Sequence, residues 1–416
     1  MSSQYRSPAR SIGRVLIFAS LSLTLAGCAP SSPAATTSAP AAANPTAAAS
    51  SVPAAAKPTT APAASPVAAA SSAPVAGATA APAAGGASGD ATVRAMSPAS
   101  LPAGWKTPKT VIHVTNYLVH EWYQNLTKGE QARAKDYAPA IEFSISDANL
   151  DLQKSLAAVD DAVSKNVDVL NFTPVNEKAS GATVTKVSSS GKPVICESSP
   201  TDGCTTLVSI DDHAAGFKVG VWAANYVKDK LGGKAVILDV GLPALTTTVA
   251  RSKGFRDGIT SVLPDAQVVQ SVDGKGLKDE AVKVSADALT AHPDVNVIFG
   301  INDDSALGGL QAFKAAGMDT SKLLVVGFGC EGNACKSALQ EGGPYKVAAA
   351  MFPEYQGRLL VDAGVAALNK TALPKHIVAP TTAITADNMS QFYAKSGDAY
   401  TANFDAIAKL SVQGEQ

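Results

Sequence analysis

The chain carries no surplus of basic charge: 34 Lys and Arg stand against 35 Asp and Glu, a net charge of −1. It also lacks a basic stripe with interleaved aromatics, so nucleic acid is excluded as a partner on electrostatic grounds. No apolar run reaches the ~20 residues that cross a bilayer, and no lasting transmembrane helix is expected. No strand leads into GxxxxGK[ST], and no Ser, Cys or Lys nucleophile after a strand comes with an evident partnered histidine. The five cysteines include no CxxC pair. With no histidine at ligand spacing either, no metal and no cofactor are expected.

What is present begins with an export signal. Arg6, Arg10 and Arg14 precede an apolar run over residues 15–25, and LAGC follows at once. Small residues before a cysteine look like a bacterial lipobox, in which Cys28 becomes lipidated after cleavage of residues 1–27. Each buried CH₂ of an acyl chain contributes about 0.8 kcal/mol, so several chains on Cys28 hold the protein at the outer face of a membrane. Residues 28–104 are almost all Ala, Pro, Ser, Thr and Gly, and the only charges over residues 29–100 are Lys57, Asp90 and Arg94. Such a segment buries too little apolar surface to offset its ordering entropy, which predicts a disordered tether. Its reach lies between roughly 50 Å as a coil and about 200 Å as extended polyproline.

About 310 residues remain, enough for two medium domains. Ten Val- and Ile-rich runs (TVIHVT, AIEFSI, VDVLNF, KPVICE, TLVSI, KAVILDV, AQVVQSV, VNVIFG, KLLVVGF and YKVAAAM) alternate with amphipathic stretches such as residues 149–166 and 278–291. The alternation predicts βαβ units and parallel sheets covered on both faces. Ten strands divide naturally into two sheets, and ligands bind beyond the carboxyl ends of such strands. In an exported protein the close pairs Cys196 with Cys204 and Cys330 with Cys335 are read as disulfides. Metal ligation is the rival reading.

The stretch VVGFGCEGNAC places Gly327, Gly329 and Gly332 at GxGxxG spacing after a strand. A dinucleotide fingerprint belongs in the first βαβ unit of its domain, and this one lies near the end of the chain. An exported dehydrogenase is therefore the weaker alternative.

The segment TAHPDVNVIFGINDDSALGGLQAFKAAG, residues 290–317, resembles the C-terminal lobe of type I periplasmic sugar-binding proteins, the ribose and galactose group of ABC-transporter receptors. EWYQNLTKGEQARAKDY, VSIDDHAAGFKVG, RSKGF and LLVVGF match in the same order, covering nearly everything over residues 111–378. The resemblance implies an α/β fold of two Rossmann-like lobes joined by a three-crossover hinge. One lobe takes residues 105–211 and about 353–382, the other 212–352 and about 383–412. It further implies a monomer that closes on a small polar, carbohydrate-like ligand and presents it to an ABC permease. The same fold serving as a ligand sensor for a signalling partner is the alternative.

By this resemblance Trp122 and Tyr123 stack on sugar faces, and adjacent aromatics cannot both face one helix core in any case. Asn302 bonds two hydroxyls, and Asp303 either binds ligand or caps the following helix. His120, Glu121, Thr173, Glu197 and Asp211 complete the expected binding set at the strand ends. Departures stand out. Glu197-Ser198 replaces an Asp-Arg pair, Asp211 a small polar residue, and Val249 a sugar-contacting arginine. Met351 falls near a glutamine position, and Gly329 takes the place of an aspartate. The cleft is therefore expected to be poor in arginine and rich in carboxylate, including Glu331. Each lost partner of a buried hydroxyl costs about 1 to 3 kcal/mol, which disfavours ribose itself. A polyol, an unusual sugar or a ligand with a positive group is expected instead.

Overall fold

The computed structural model describes residues 84–410 and 412. The export signal, Cys28 and most of the tether lie outside these residues. The last part of the expected tether is not a free chain: Ala84–Arg94 forms helix α1. Val93 is fully buried, and Gly89 lets the helix press on the backbone at Ala372, where any Cβ would collide. Arg94 donates to Asp90 at 2.9 Å and to the carbonyl of Val378 at 2.6 Å. Composition argued against order here; a tertiary surface shaped for small residues supplies it.

The first lobe runs β1 (Thr110–Thr115), α2 (Glu121–Asp136), β2 (Glu142–Asp147), α3 (Leu152–Ser164), β3 (Val169–Phe172), α4 (Glu177–Ser189), β4 (Val194–Glu197) and β5 (Thr206–Ser209). The chain then crosses to α5 (Asp212–Lys230), β6 (Val236–Gly241), α6 (Thr246–Val262), β7 (Gln267–Asp273), α7 (Lys278–Ala291), β8 (Val297–Gly300), α8 (Asp303–Ala315), β9 (Leu324–Gly329), α9 (Asn333–Gln340) and β10 (Tyr345–Ala350). It returns through α10 (Pro353–Leu368) to β11 (His376–Val378), and crosses again into β12 (Thr382–Ile384). The two six-stranded sheets have the orders β11-β5-β4-β3-β1-β2 and β12-β10-β9-β8-β6-β7. All ten expected strands are present. Central strands β3, β4, β8 and β9 are buried along their length, whereas the edge strands β2 and β7 are partly exposed, as helix layers on both faces require.

The sheets are parallel with one exception, because β12 pairs antiparallel with β10. The reason is the length of the third crossover. Only residues 379–381 separate β11 from β12, too few for the helix that a parallel return needs. The chain leaves one sheet at the cleft and enters the other from the cleft, so it must run against its new neighbours. A short hairpin, β13 (Tyr393–Ser396) with β14 (Ala399–Ala402), follows and was not legible in the sequence.

Two helix pairs set the cleft. Gly216 and Gly220 of α5 lie against the carbonyls of Arg251 and Phe255, while Gly254 and Gly258 of α6 lie against those of His213 and Phe217. Gly129 of α2 and Gly357 of α10 make the same kind of backbone approach to Glu354 and Leu126. Side chains at these positions would force the helices apart. Beneath α2, Arg133 grips Asp362 of α10 through Nε and Nη2, both at 2.8 Å, and Tyr137 donates to the same carboxylate at 2.6 Å.

Candidate functional site

Between the lobes lies a cleft of about 1000 Å³, counted to its open mouth. Its first-lobe wall is built on β1, β4 and the start of α2. His120 caps α2, its Nδ1 accepting from the Trp122 amide at 3.2 Å, and this turns the Trp122 and Tyr123 rings toward the cleft. Trp122 Nε1 donates to Glu197 Oε1 at 3.3 Å, and Gln356 Nε2 donates to the same oxygen at 2.9 Å. Glu197 Oε2 accepts from Thr173 at 2.8 Å.

Behind Thr173 the network continues into the core. His113 contacts Thr173 Oγ1 through Nε2 at 2.9 Å and Glu130 through Nδ1 at 2.7 Å. Asn171 donates to the other oxygen of Glu130 at 2.7 Å. His113 thus bridges Thr173 and Glu130, and Glu130 holds its pKa above the usual value against the opposing effect of burial. Burial pushes Glu197 up to about 7, although His113, Thr173 and Trp122 all favour its charged form.

The second-lobe wall carries Asp212, Arg251, Asn302, Phe328 and Glu331. Arg251 Nε donates to Asp212 Oδ1 at 2.7 Å and Nη1 to the Ile301 carbonyl at 3.1 Å, with the guanidinium 4.6 Å above the Phe328 ring. His120 Nε2 lies 3.9 Å from Glu331 Oε1 across the cleft, and two hydrogen bonds tie the lobes. Asn125 donates to the Glu331 carbonyl at 2.7 Å, and Thr246 to Glu177 at 3.2 Å. Backbone strain gathers here as well, since Ser198, Cys330 and Phe352 all hold positive φ just past strand ends.

His120, Trp122, Tyr123, Glu197 and Asn302 line the cleft together. Glu331, expected among the cleft carboxylates, lines it as well, whereas Glu121, Thr173, Asp211 and Asp303 do not. Glu121 faces a separate polar hollow with Lys336 and Glu354. Thr173 is buried one layer back, positioning Glu197. Asp211 is exposed and caps α5 through the Ala214 amide at 2.9 Å; its neighbour Asp212 is the one on the cleft. Asp303 is buried beneath the wall, accepting from Tyr345 at 2.8 Å and from the Glu331 amide at 3.2 Å. The Asn302 amide is partly spent on the fold, accepting from Ser305 N at 2.8 Å and donating to the Gly276 carbonyl at 2.9 Å.

Arg251, two residues beyond the exposed Val249, is the one arginine among the described residues that line the cleft. Beside Gly329 the wall carries the Glu331 carboxylate. A Cβ at 329 would collide with the Glu331 carboxylate, so Glu331 fills the space that a side chain at 329 would take. Gly327 and Gly332 likewise make room for the Tyr345 hydroxyl and the Glu121 carboxylate. Side chains occupy the spaces that a pyrophosphate turn would keep open. Both cysteine pairs are bonded, Cys196 to Cys204 and Cys330 to Cys335, and each bridge lies next to a cleft carboxylate, Glu197 or Glu331. Loops this short restrict the unfolded chain by roughly 2 to 2.6 kcal/mol each.

Asn116, Asp212, Arg251 and Gln356 belong to the cleft and were missed. Arg251 had a signal, since it opens the quoted RSKGF. Gln356 had none, because it arrives from the third segment of the first lobe.

A sequence profile of the family described as periplasmic binding protein domain matches residues 111–372. The ribose import binding protein of Bacillus subtilis (strain 168) is 30% identical over 283 residues, covering 67% of this chain and 88% of the relative. An ABC transporter solute-binding protein from Mycobacterium smegmatis with bound glycerol superposes with a TM-score of 0.64 at 23% identity, over 72% of this chain and 100% of that one. The Caulobacter myo-inositol binding protein gives 0.61 at 23%, over 70% and 97%. With two lobes joined by three crossovers around one cleft, this chain belongs to the type I periplasmic sugar-binding protein family.

Proposed function

We propose that this chain is the lipid-anchored solute receptor of an ABC importer, capturing a polyhydroxylated ligand between its lobes and delivering it to a permease. One observation carries the ligand class. Asn116 Oδ1, Gln356 Oε1 and Glu331 Oε2 are buried acceptors on cleft residues that find no partner among the described residues. Buried acceptors call for donors, and a ligand rich in hydroxyls supplies them beside the two aromatic rings. The relatives support the reading, since they are named for ribose import or were solved with glycerol or myo-inositol. The anchor reading is supported by the LAGC stretch that ends at Cys28; among the described residues no helix is long and apolar enough to cross a membrane.

Ribose, galactose, xylitol and myo-inositol are expected to include at least one ligand that raises the Tm of the full mature chain. Trp122→Ala is expected to weaken that ligand about tenfold or more in titration calorimetry. A flat thermal-shift response to the whole panel would overturn the ligand class. The anchor is checked separately: fatty-acid labelling in cells is expected to disappear in Cys28→Ser, and label that persists would refute it.

A further inference from the structure

The cleft has a second kind of surface, which the hydroxyl reading does not use. Leu150 of the first lobe and Leu242, Leu245 and Leu277 of the second line the same cavity as the polar residues above. Three of these leucines sit where a leucine is locally unfavourable. Leu150 holds a left-handed backbone, φ +61°, a region that side chains with a Cβ rarely adopt. Leu245 and Leu277 occupy the N-cap positions of α6 and α7 and make no side-chain capping bond. Elsewhere in the two lobes Asp151, Asn176, Asp211 and Asn302 cap their helices. A polar cap in place of an apolar one is ordinarily stabilising.

Burial does not compensate for this choice. Leu150 remains 54% exposed and Leu277 36% exposed even with Asn125 and Thr246 tying the lobes across the cleft. The leucines therefore do not seal against one another.

We propose that the ligand is amphipathic: a hydroxylated part held by the polar residues of the cleft, joined to an apolar group the size of a phenyl ring or short alkyl chain that packs among Leu150, Leu242, Leu245 and Leu277. This rests on the proposed binding of a polyhydroxylated solute. The occupant is the ligand itself because the leucines are continuous with its cavity.

The test uses matched methyl and phenyl glycosides of ribose, galactose and glucose, together with the free sugars, xylitol and myo-inositol, titrated into the full mature chain. A phenyl glycoside is expected to bind about tenfold or more tightly than its methyl partner. In Leu245→Ser and Leu277→Ser that ratio is expected to fall toward one. Serine at these positions restores a helix cap, so Tm should hold or rise and misfolding cannot explain the loss. If phenyl compounds bind no better than methyl ones, or if only unsubstituted compounds bind, the inference is overturned while the hydroxyl reading stands. A ratio that persists in both serine variants overturns the assignment to the leucines. If nothing in either series binds, both readings fall.

Discussion

Arg251→Ala is expected to lower stability by about 3 to 5 kcal/mol and to weaken ligand binding by roughly a hundredfold. The guanidinium is held on three sides, by the Asp212 carboxylate, the Ile301 carbonyl and the face of Phe328. Only 12% of the Arg251 side chain and 9% of the Asp212 side chain are exposed, so the pair is largely shielded from solvent. Burial pushes the Asp212 pKa up, and Arg251 is the chief influence pulling it down. Removing the arginine strands a buried carboxylate, which must then take a proton or draw in water. Lysine is a poor replacement, because it has neither the planar fork nor the stacking face. The double variant Arg251→Ala with Asp212→Leu is expected to recover much of the stability and none of the affinity, since it removes the stranded charge without restoring the donor. Urea unfolding and calorimetric titration read the two effects. A single variant within about 1 kcal/mol of wild type would show that the pair contributes little.

The second large effect is a pH dependence that Glu197→Gln abolishes in part. Glu197 titrates near 4.5 when exposed and at about 7 in the folded protein because burial outweighs the opposing pull of His113, Thr173 and Trp122. Between those values the folded state holds a proton that the unfolded chain has released. The stability attached to this group is therefore fully present below about pH 4.5 and is lost as pH rises through about 7. The full span corresponds to about 3 kcal/mol. His113 has a raised pKa as well and contributes in the same sense; Glu130 faces both from α2. In wild type, Tm should fall from pH 5 to pH 8. Glu197→Gln keeps an acceptor for Trp122 and has no proton to lose, so its profile should be flatter by up to that amount. Parallel profiles for the two proteins would remove Glu197 from this role.

Some of the site is decided by competition between ligand and fold for the same side chains. Asn302, Asp303 and Asp211 sit after strands, where both binding residues and helix caps belong. In the folded chain all three serve neighbouring backbone or side-chain donors, and only Asn302 also reaches the cleft. Spacing along the chain does not distinguish the two uses, because both require a short polar side chain at a helix start.

Local pattern determined the ten strands, their alternation with helices, the two cysteine pairs and the ends of strands as the place for ligand. Those features depend on neighbours within a few residues and on the burial periodicity of covered sheets. The tertiary structure alone decided that Glu331 fills the space beside Gly329, that Arg251 and Gln356 reach the cleft, and that α1 docks against the turn at Ala372. It also decided the antiparallel entry of β12. The reason is common to all of them. Each is a meeting of segments far apart in sequence, and the meeting is set by how closely glycine-faced helices approach and how few residues a crossover allows.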